Sequence, residues 1–516
     1  MAQKENIVKL FANVGVAPTP VEQKKILMDG LKTFEGEVIE VYSPICRGEL
    51  PIYLGSYPRM TEAQALTCLE SAQKAWALGK GEWPMLSPEQ RCNAVRKFAG
   101  ILKENREYIA EKIMWEIAKT RSDAEGEVDR TVQYILDSCD KLEELTTAWN
   151  KWREDKGLMI QVPRQPRGIV LCMGPANYPL NETFTTLIPA LLMGNVVLFK
   201  PAKDGVLLLE PLVDAFNECF PKGVVNTLYG DGREIITPIQ KTGKIDVFSF
   251  IGATWTADSI IGNNPTPHKT KNVLGLGAKN PGIILPGADI DGIMKEIVKG
   301  TLSYNGQRCT ALKILFVHSS IREEFLKKYT TAVDALKPGL PWEDGVQLTP
   351  VLPGTVHNFT GYINDAVTRG AQILNENGGL VNAGYIHPAV VFPVTSQMKL
   401  FREEQFGPVV PIVEFEDISE VLHWIYTSNF GQQISVFGNT ETERNDFHLI
   451  IDSTQNQTCR VNINTACQRG PDDVPFAGRG DSAMGTLDLL NALLELSIEF
   501  VKALKPEDWK NLYGEE

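Results

Sequence analysis

Between residues 168 and 262 the chain alternates short apolar runs with helix-length amphipathic segments, and no other feature limits its fold as much. The apolar runs are Gly168–Cys172, Asn195–Lys200, Val224–Tyr229 and Asp246–Ile251. Each is of strand length, and the segment after each is long enough to carry the chain back over a sheet. A repeat of this kind gives parallel strands covered on both faces, because a parallel connection must cross over the sheet. Ligands of such sheets bind beyond the carboxyl ends of the strands. Here those ends are Gly174-Pro-Ala-Asn177-Tyr178, Lys200-Pro-Ala-Lys203, Gly230-Asp-Gly232 and Gly252-Ala-Thr254.

The flanking segments extend this α/β scheme. Residues 60–145 carry helical periodicity. A second α/β region from about 280 to 475 offers strands at Gly282–Leu285, Lys313–Val317, Val390–Pro393, Val409–Val413, Ile434–Phe437 and Arg460–Ile463. Residues 157–166 read as an exposed strand, since Pro163 and Pro166 suit an edge better than a sheet centre. The alternating stretch Leu496–Val501 is a late strand. It could pair with segment 157–166 of another subunit or of its own, and the two strands are expected to make the subunit contact.

A chain of 516 residues needs more than one core, so two or three domains are expected. The expected division is a nucleotide-binding domain over 1–275, with an oligomerisation strand inserted at about 150–166, a catalytic domain over 276–475, and a return segment with a C-terminal strand over 476–516.

Charge and composition exclude several partners. With 51 Lys and Arg against 64 Asp and Glu, the net charge of −13 argues against nucleic acid and against anionic membrane surfaces. The most apolar stretch, Leu187–Phe199, is too short to span a bilayer and contains Gly194 and Asn195. Met1–Lys9 is mixed in charge and lacks the order of a signal peptide. Nine cysteines without a CxxC pair fit a reducing compartment, so a cytoplasmic protein is expected. Six scattered histidines show no zinc spacing, and no metal is expected.

The chemistry centres on Cys309, in Asn305-Gly306-Gln307-Arg308-Cys309-Thr310. A thiol beside a guanidinium is a candidate nucleophile, because fixed positive charge favours the thiolate. The alternative is a buried, inert cysteine. No GxGxxG motif follows a strand; Gly230-Asp-Gly232 and Gly275-Leu-Gly277 are isolated GxG pairs. A dinucleotide would therefore need another cradle. Lys200 closes a strand at the ligand edge, where its ammonium could meet ribose hydroxyls or a phosphate. Gly252-Ala-Thr254 opens a helix whose N-terminus can face an anion. Asn177 is either a turn residue or an amide donor to a developing oxyanion.

Five motifs, in order, now carry a resemblance: Gly174-Pro-Ala-Asn-Tyr-Pro179, Gly194-Asn-Val-Val-Leu-Phe-Lys-Pro201, Phe250-Ile-Gly-Ala-Thr254, Gly306-Gln-Arg-Cys309 and Glu403-Glu-Gln-Phe-Gly-Pro408. The chain resembles the aldehyde dehydrogenase superfamily over roughly residues 40 to 505. The resemblance implies a Rossmann-type cofactor domain, an α/β catalytic domain and oligomerisation strands, in a homodimer or homotetramer acting on a small-molecule aldehyde. It implies that Cys309 is the nucleophile and that Asn177 and the Cys309 N–H form the oxyanion hole. Lys200, Gly252 and Thr254 would serve the cofactor, with Glu404 and Phe406 at its nicotinamide ribose. The reaction implied passes through a thiohemiacetal and a thioester.

A narrower likeness rests on Cys467-Gln-Arg-Gly-Pro-Asp472, Pro475-Phe476, Asn177-Tyr178 and the Arg before the nucleophile. These are similar to the branch of non-phosphorylating glyceraldehyde-3-phosphate dehydrogenases. That likeness implies a phosphate-bearing substrate, glyceraldehyde 3-phosphate oxidised to 3-phosphoglycerate, held by Arg130, Tyr178, Arg308 and Arg469. Arginine suits the task because its planar fork grips phosphate oxygens in pairs. For each arginine the alternative is a surface ion pair. NAD-preferring relatives often place a carboxylate three residues after the strand-end lysine. Lys203 stands there instead, which favours NADP, with NAD possible.

One departure stands out. The family's Glu-Leu-Gly-Gly-Lys is here Gly275-Leu276-Gly277-Ala278-Lys279, so the carboxylate that activates the deacylating water is replaced by Gly275. Three outcomes are open: oxidation with impaired deacylation, acyl transfer to an acceptor other than water, or an inactive structural or binding homologue.

Overall fold

The computed structural model describes residues 14–514, so the mixed-charge stretch Met1–Lys9 lies outside the described residues. An antiparallel hairpin, β1 (Val38–Arg47) and β2 (Leu50–Pro58), precedes the helical region. Helical periodicity does not identify it, because extended chain repeats every two residues. Four long helices follow: α1 (Glu62–Trp76), α2 (Pro88–Glu104), α3 (Arg106–Ile117) and α4 (Arg121–Trp149). Their starts are written locally. Thr61 with Gln64 and Ser87 with Gln90 form capping boxes that satisfy the first free N–H groups.

Next come three short strands: Arg153–Asp155, which pairs with β3 (Leu158–Gln161), then β3 itself and β4 (Arg164–Pro166). The expected βαβ unit then appears in full. Its strands are β5 (Ile169–Met173), β6 (Val196–Lys200), β7 (Val225–Thr227), β8 (Val247–Ile251) and β9 (Lys271–Gly275). Its helices are α5 (Asn181–Leu192), α6 (Glu210–Cys219), α7 (Gly232–Lys241) and α8 (Thr254–Gly262). The order across the sheet is β7-β6-β5-β8-β9, all parallel. Strand order therefore reverses between β5 and β8, which opens a crevice at their carboxyl ends. Helix α5 is buried along its whole length. Asn195 locks the turn into β6: its carbonyl accepts the N–H groups of Arg167 (2.8 Å) and Gly168 (3.0 Å), and its amide donates to Leu496 O at 2.9 Å.

The second region forms its own sheet around β10 (Asn280–Ile284), followed by helix α9 (Ile290–Leu302) and β11 (Leu312–His318). The other strands are β12 (Gln372–Ile373), β13 (Ala389–Phe392), β14 (Val409–Phe415), β15 (Gln433–Phe437) and β16 (Arg460–Ile463). The order is β12-β13-β14-β11-β10-β15-β16, with β12 alone antiparallel to its neighbour. Strand β17 (Ala483–Met484) returns to the first sheet and pairs antiparallel with β9.

At the C-terminal strand the pairing within the chain is the one observed. The stretch Leu496–Val501 contains β18 (Ser497–Glu499), and β19 (Lys502–Leu504) lies beyond it. These pair antiparallel with β4 and β3 of the same chain. Arg164 holds the junction, donating to Ser497 Oγ at 2.7 Å and to Leu494 O at 2.9 Å. Each of β18 and β4 has a strand partner on one side only, so the ribbon keeps an open edge. Ile498, Phe500 and Val501 are still half or more exposed on this ribbon. Among the described residues no helix is long and apolar enough to cross a membrane, and no group of three His, Cys, Asp or Glu could hold a metal ion.

Candidate active site

A cavity of about 1280 Å³ opens where the carboxyl ends of the first sheet face the amino ends of the second. Its wall collects residues from distant parts of the sequence. Asn177 and Tyr178 follow β5, Gly252 and Thr254 follow β8, and Gly275 ends β9. Arg308 and Cys309 precede β11, Glu404 and Phe406 precede β14, Arg130 comes from α4, and Arg469 follows β16. Lys200 and Lys203 are not part of this wall. They lie at the end of β6, beside the turn into α7, where a Cβ on Gly232 would come within 3.8 Å of Lys200 Cε.

The loop that presents Cys309 is strained. Tyr304 and Asn305 both adopt left-handed φ values, 49° and 54°, ahead of Gly306 at 71°. Such conformations persist only where the surroundings hold them. Here Tyr304 Oη donates to Ile117 O at 2.9 Å and Asn305 Nδ2 to Thr349 O at 2.9 Å. Gly306 is required, since a Cβ there would sit 2.8 Å from the carbonyls of both Gly407 and Thr301. On the far side, Asn280 Nδ2 donates to Cys309 O at 2.8 Å.

The thiol itself departs from expectation. Burial pushes the Cys309 pKa up to about 11, and the charge of Glu182 adds to the rise, while Lys313 and Arg469 pull it down. Arg308 is not among the charged groups that act on it most strongly. The Arg308 guanidinium turns away and donates to the carbonyls of Lys299 (3.3 Å) and Gly300 (3.4 Å). Adjacency in sequence did not bring the two side chains together, because successive side chains leave the backbone in different directions. The resting thiol is protonated at neutral pH.

Asn177 Nδ2 donates to Gln307 O at 2.9 Å, which ties the loop after β5 to the loop of the thiol. An amide nitrogen carries two protons, so one remains for an oxyanion. Tyr178 stacks on Lys119, whose Nζ lies 3.2 Å from the ring centroid. Lys119 is in turn paired with Glu127. Glu127 Oε1 accepts the N–H groups of Leu180 and Asn181, both at 3.1 Å, and so caps α5.

Two of the three arginines expected at a phosphate are held by carboxylates. Arg130 Nη2 lies 2.7 Å from Asp472 Oδ1. Arg469 Nη1 lies 3.2 Å from Glu182 Oε2, and its Nε lies 3.9 Å from Asp472 Oδ1. These Arg469 contacts are ion pairs without hydrogen-bond alignment, leaving buried Nε and Nη1 unbonded in a side chain that is 6% exposed. Both arginines still face the cavity with donors to spare.

On the cofactor side, Lys313 Nζ lies 2.9 Å from Glu404 Oε1 and 4.5 Å from the Phe406 ring centroid. The Lys313–Glu404 pair also lacks hydrogen-bond alignment, so Glu404 Oε1 is an unbonded buried acceptor of the kind a ribose hydroxyl satisfies. A Cβ at Gly277 would meet Glu404 Oε2 and the Phe430 ring, both at 3.0 Å, so the glycine keeps this approach open. At the β6 end, burial lowers the Lys200 pKa to about 8, with Asp231 opposing the shift. Lys203 is exposed, its nearest carboxylate being Asp204 at 4.0 Å. Two cations at one edge and an unbonded acceptor at the other fit a phosphorylated dinucleotide. Gly252 gives its N–H to Gly275 O at 2.9 Å and shapes the turn between them, and Thr254 Oγ1 is bonded to Asp481 O at 3.2 Å.

Gly275 lies in β9 opposite Ile251, and a Cβ built on it would sit 3.3 Å from Ile251 Cγ1. Its backbone is not left-handed, so the position does not require glycine. The lack of a side chain there is not a demand of the fold.

Sequence reasoning missed Glu182, Lys313 and Lys119. Glu182 had a legible signal: it is the one charged residue between Pro179 and Phe199, on a helix otherwise uncharged and mostly apolar or hydroxylic. A lone charge on a buried helix needs a partner or a task. The buried lysines gave no local signal, because their partners come from other elements.

The Aldehyde dehydrogenase family model matches residues 32–499. The NADP-dependent glyceraldehyde-3-phosphate dehydrogenase of Streptococcus equinus is 33% identical over 480 residues, covering 90% of this chain and 95% of its own. Its counterpart in Pisum sativum is 31% identical over 471 residues, with 90% and 91% covered. Among solved structures, the NADP-dependent glyceraldehyde-3-phosphate dehydrogenase of Bacillus halodurans C-125, complexed with NADP, superposes with a TM-score of 0.85 at 30% identity, covering 94% of this chain and 100% of that one.

Proposed function

The chain belongs to the aldehyde dehydrogenase family, and from that premise we propose that it oxidises a phosphorylated aldehyde, glyceraldehyde 3-phosphate in the first instance, to its acid with NADP. One observation carries the reading: Cys309, Asn177, Tyr178, Glu404 and the three arginines line a single cavity at the crevice between the sheets. The cofactor, when bound, supplies the hydride acceptor. Lys200 and Lys203 hold its phosphorylated adenosine end, the turn at Gly252 and Thr254 receives its middle, and Glu404 with Phe406 positions the nicotinamide ribose.

Cys309 adds to the carbonyl carbon as the thiolate, favoured by Lys313 and Arg469. The carbonyl oxygen of this thiohemiacetal gathers charge against Asn177 Nδ2 and the Cys309 N–H, donors already in place before reaction. Arg130 and Arg469 offer their remaining N–H groups to the substrate phosphate, Tyr178 walls the same side, and Arg308 lies at its margin. After oxidation the acyl group rests on Cys309 as a thioester. General-base assistance is worth about 10²- to 10⁴-fold, so with Gly275 in place of the usual base its hydrolysis is slowed to the extent that no other carboxylate takes over the task.

Residues 1–275 form the cofactor half in this reading, 276–475 the catalytic half and 476–516 the return to the first sheet. The exposed Ile498, Phe500 and Val501 support a homodimer or homotetramer, and nine unpaired cysteines support a cytoplasmic setting. Stopped-flow mixing with NADP and glyceraldehyde 3-phosphate tests the function. A burst of one NADPH per site followed by slow turnover is expected. Absence of a burst, with NADP binding intact, points to the inactive-homologue reading.

A further inference from the structure

We propose that Glu182 is the base that activates the deacylating water, in place of the carboxylate missing at Gly275. The proposal rests on the reading that Cys309 becomes acylated.

Four carboxylates reach the cavity wall: Glu182, Asp258, Glu403 and Glu404. Asp258 and Glu403 are exposed, and Glu403 accepts from Tyr362 Oη at 3.2 Å. Glu404 faces Lys313 and is committed to the ribose. Glu182 differs from all three. Its side chain is 9% exposed, and it projects from the first turn of a wholly buried helix. Its Oε2 faces Arg469 Nη1 at 3.2 Å, and no donor among the described residues bonds Oε1. A carboxylate held on one side by an arginine, in a residue that lines a reaction cavity, has the form of a general base.

The effect on the nucleophile points the same way. Of all the charged groups acting on Cys309, Glu182 acts most strongly, and it raises the thiol pKa. This opposition costs something in the resting site, where a thiolate must form. It vanishes in the thioester, whose sulfur is neutral, and it returns as the carbon–sulfur bond breaks. A protonated Glu182 would then hold the proton the departing sulfur needs. In atoms, the water oxygen bonds to the acyl carbon and the carbon–sulfur bond breaks. One water proton passes to Glu182 and on to Cys309 Sγ, and the acid leaves with no change of oxidation state. Substrate phosphate drawn to Arg469 shares the charge that now holds Glu182, which leaves the carboxylate freer at the stage when it is needed.

Glu182→Gln keeps size and packing and removes the base. The expected result is a burst of one NADPH per site, as in the unsubstituted chain, with steady-state turnover lowered about 10²-fold or more. Added hydroxylamine, which attacks a thioester without a general base, should restore turnover, and so should Gly275→Glu in the Glu182→Gln chain. Unchanged steady-state turnover in Glu182→Gln overturns the proposal, as does loss of the burst, which would place Glu182 in acylation. A missing burst in the unsubstituted chain sinks the aldehyde reading instead. Should Glu182→Gln fail to fold, single-turnover hydrolysis by the unsubstituted chain decides. A rate that rises with pH through a carboxylate ionisation and slows in deuterium oxide supports the base; a flat profile without isotope effect overturns it.

Discussion

Lys119 Nζ sits 3.2 Å from the centroid of the Tyr178 ring, with Lys119 and its partner Glu127 both wholly excluded from solvent. The same Glu127 caps α5, so one buried ion pair orders the Asn177-Tyr178 turn and the helix that carries Glu182. The wall of the cavity is therefore held from behind by the connection between α3 and α4.

Removing one member of that pair leaves the other charge buried alone. Lys119→Met is expected to cost about 3–5 kcal/mol of stability, the usual penalty for an orphaned buried ion. A urea unfolding curve checks it. A midpoint close to that of the unsubstituted chain would show that Glu127 is held well enough by its backbone donors.

Burial raises the Cys309 pKa to about 11, so at pH 7 about one thiol in 10⁴ is ionised without cofactor. Iodoacetamide labelling of Cys309, followed by peptide mapping, should accelerate nearly tenfold per pH unit from 7 to 10. Fast labelling that is independent of pH over this range would mean that a cation reaches the sulfur after all. Cys309→Ser should eliminate both the labelling at this position and the NADPH burst.

Gly275→Glu puts a carboxylate at the wall of the cavity on a backbone that tolerates a side chain, with Ile251 Cγ1 at 3.3 Å as the tightest neighbour. If hydrolysis limits turnover, steady-state NADPH production should rise about tenfold or more while the burst rate stays the same. A higher burst rate with unchanged turnover would place the limiting step elsewhere.

Lys200 loses its proton near pH 8 because burial disfavours the ammonium. NADP affinity, measured by fluorescence titration, should therefore weaken as pH rises through 8, and Lys200→Met should remove that dependence. Folding responds with the opposite sign. Between about pH 8 and the usual lysine range the unfolded chain binds the extra proton, so Lys200 makes the folded state more stable as pH rises.

The sequence by itself determined the parallel sheets, the strand ends that carry Asn177, Lys200 and Gly252, and the loop that carries Cys309. Strand and helix periods are local, and a crossover connection leaves few ways to join them. Tertiary structure alone decided what each charged side chain faces. Arg308, next to the thiol in sequence, turns to carbonyls in the last turn of α9. Arg130 finds Asp472 across 342 positions. The late strand found its partner within its own chain, whereas alternation along Leu496–Val501 marked only which side chains share a face. A side chain's electrostatic partner depends on the direction of its Cα–Cβ bond and on which elements the core brings alongside, and neither is written in the spacing of the residues around it.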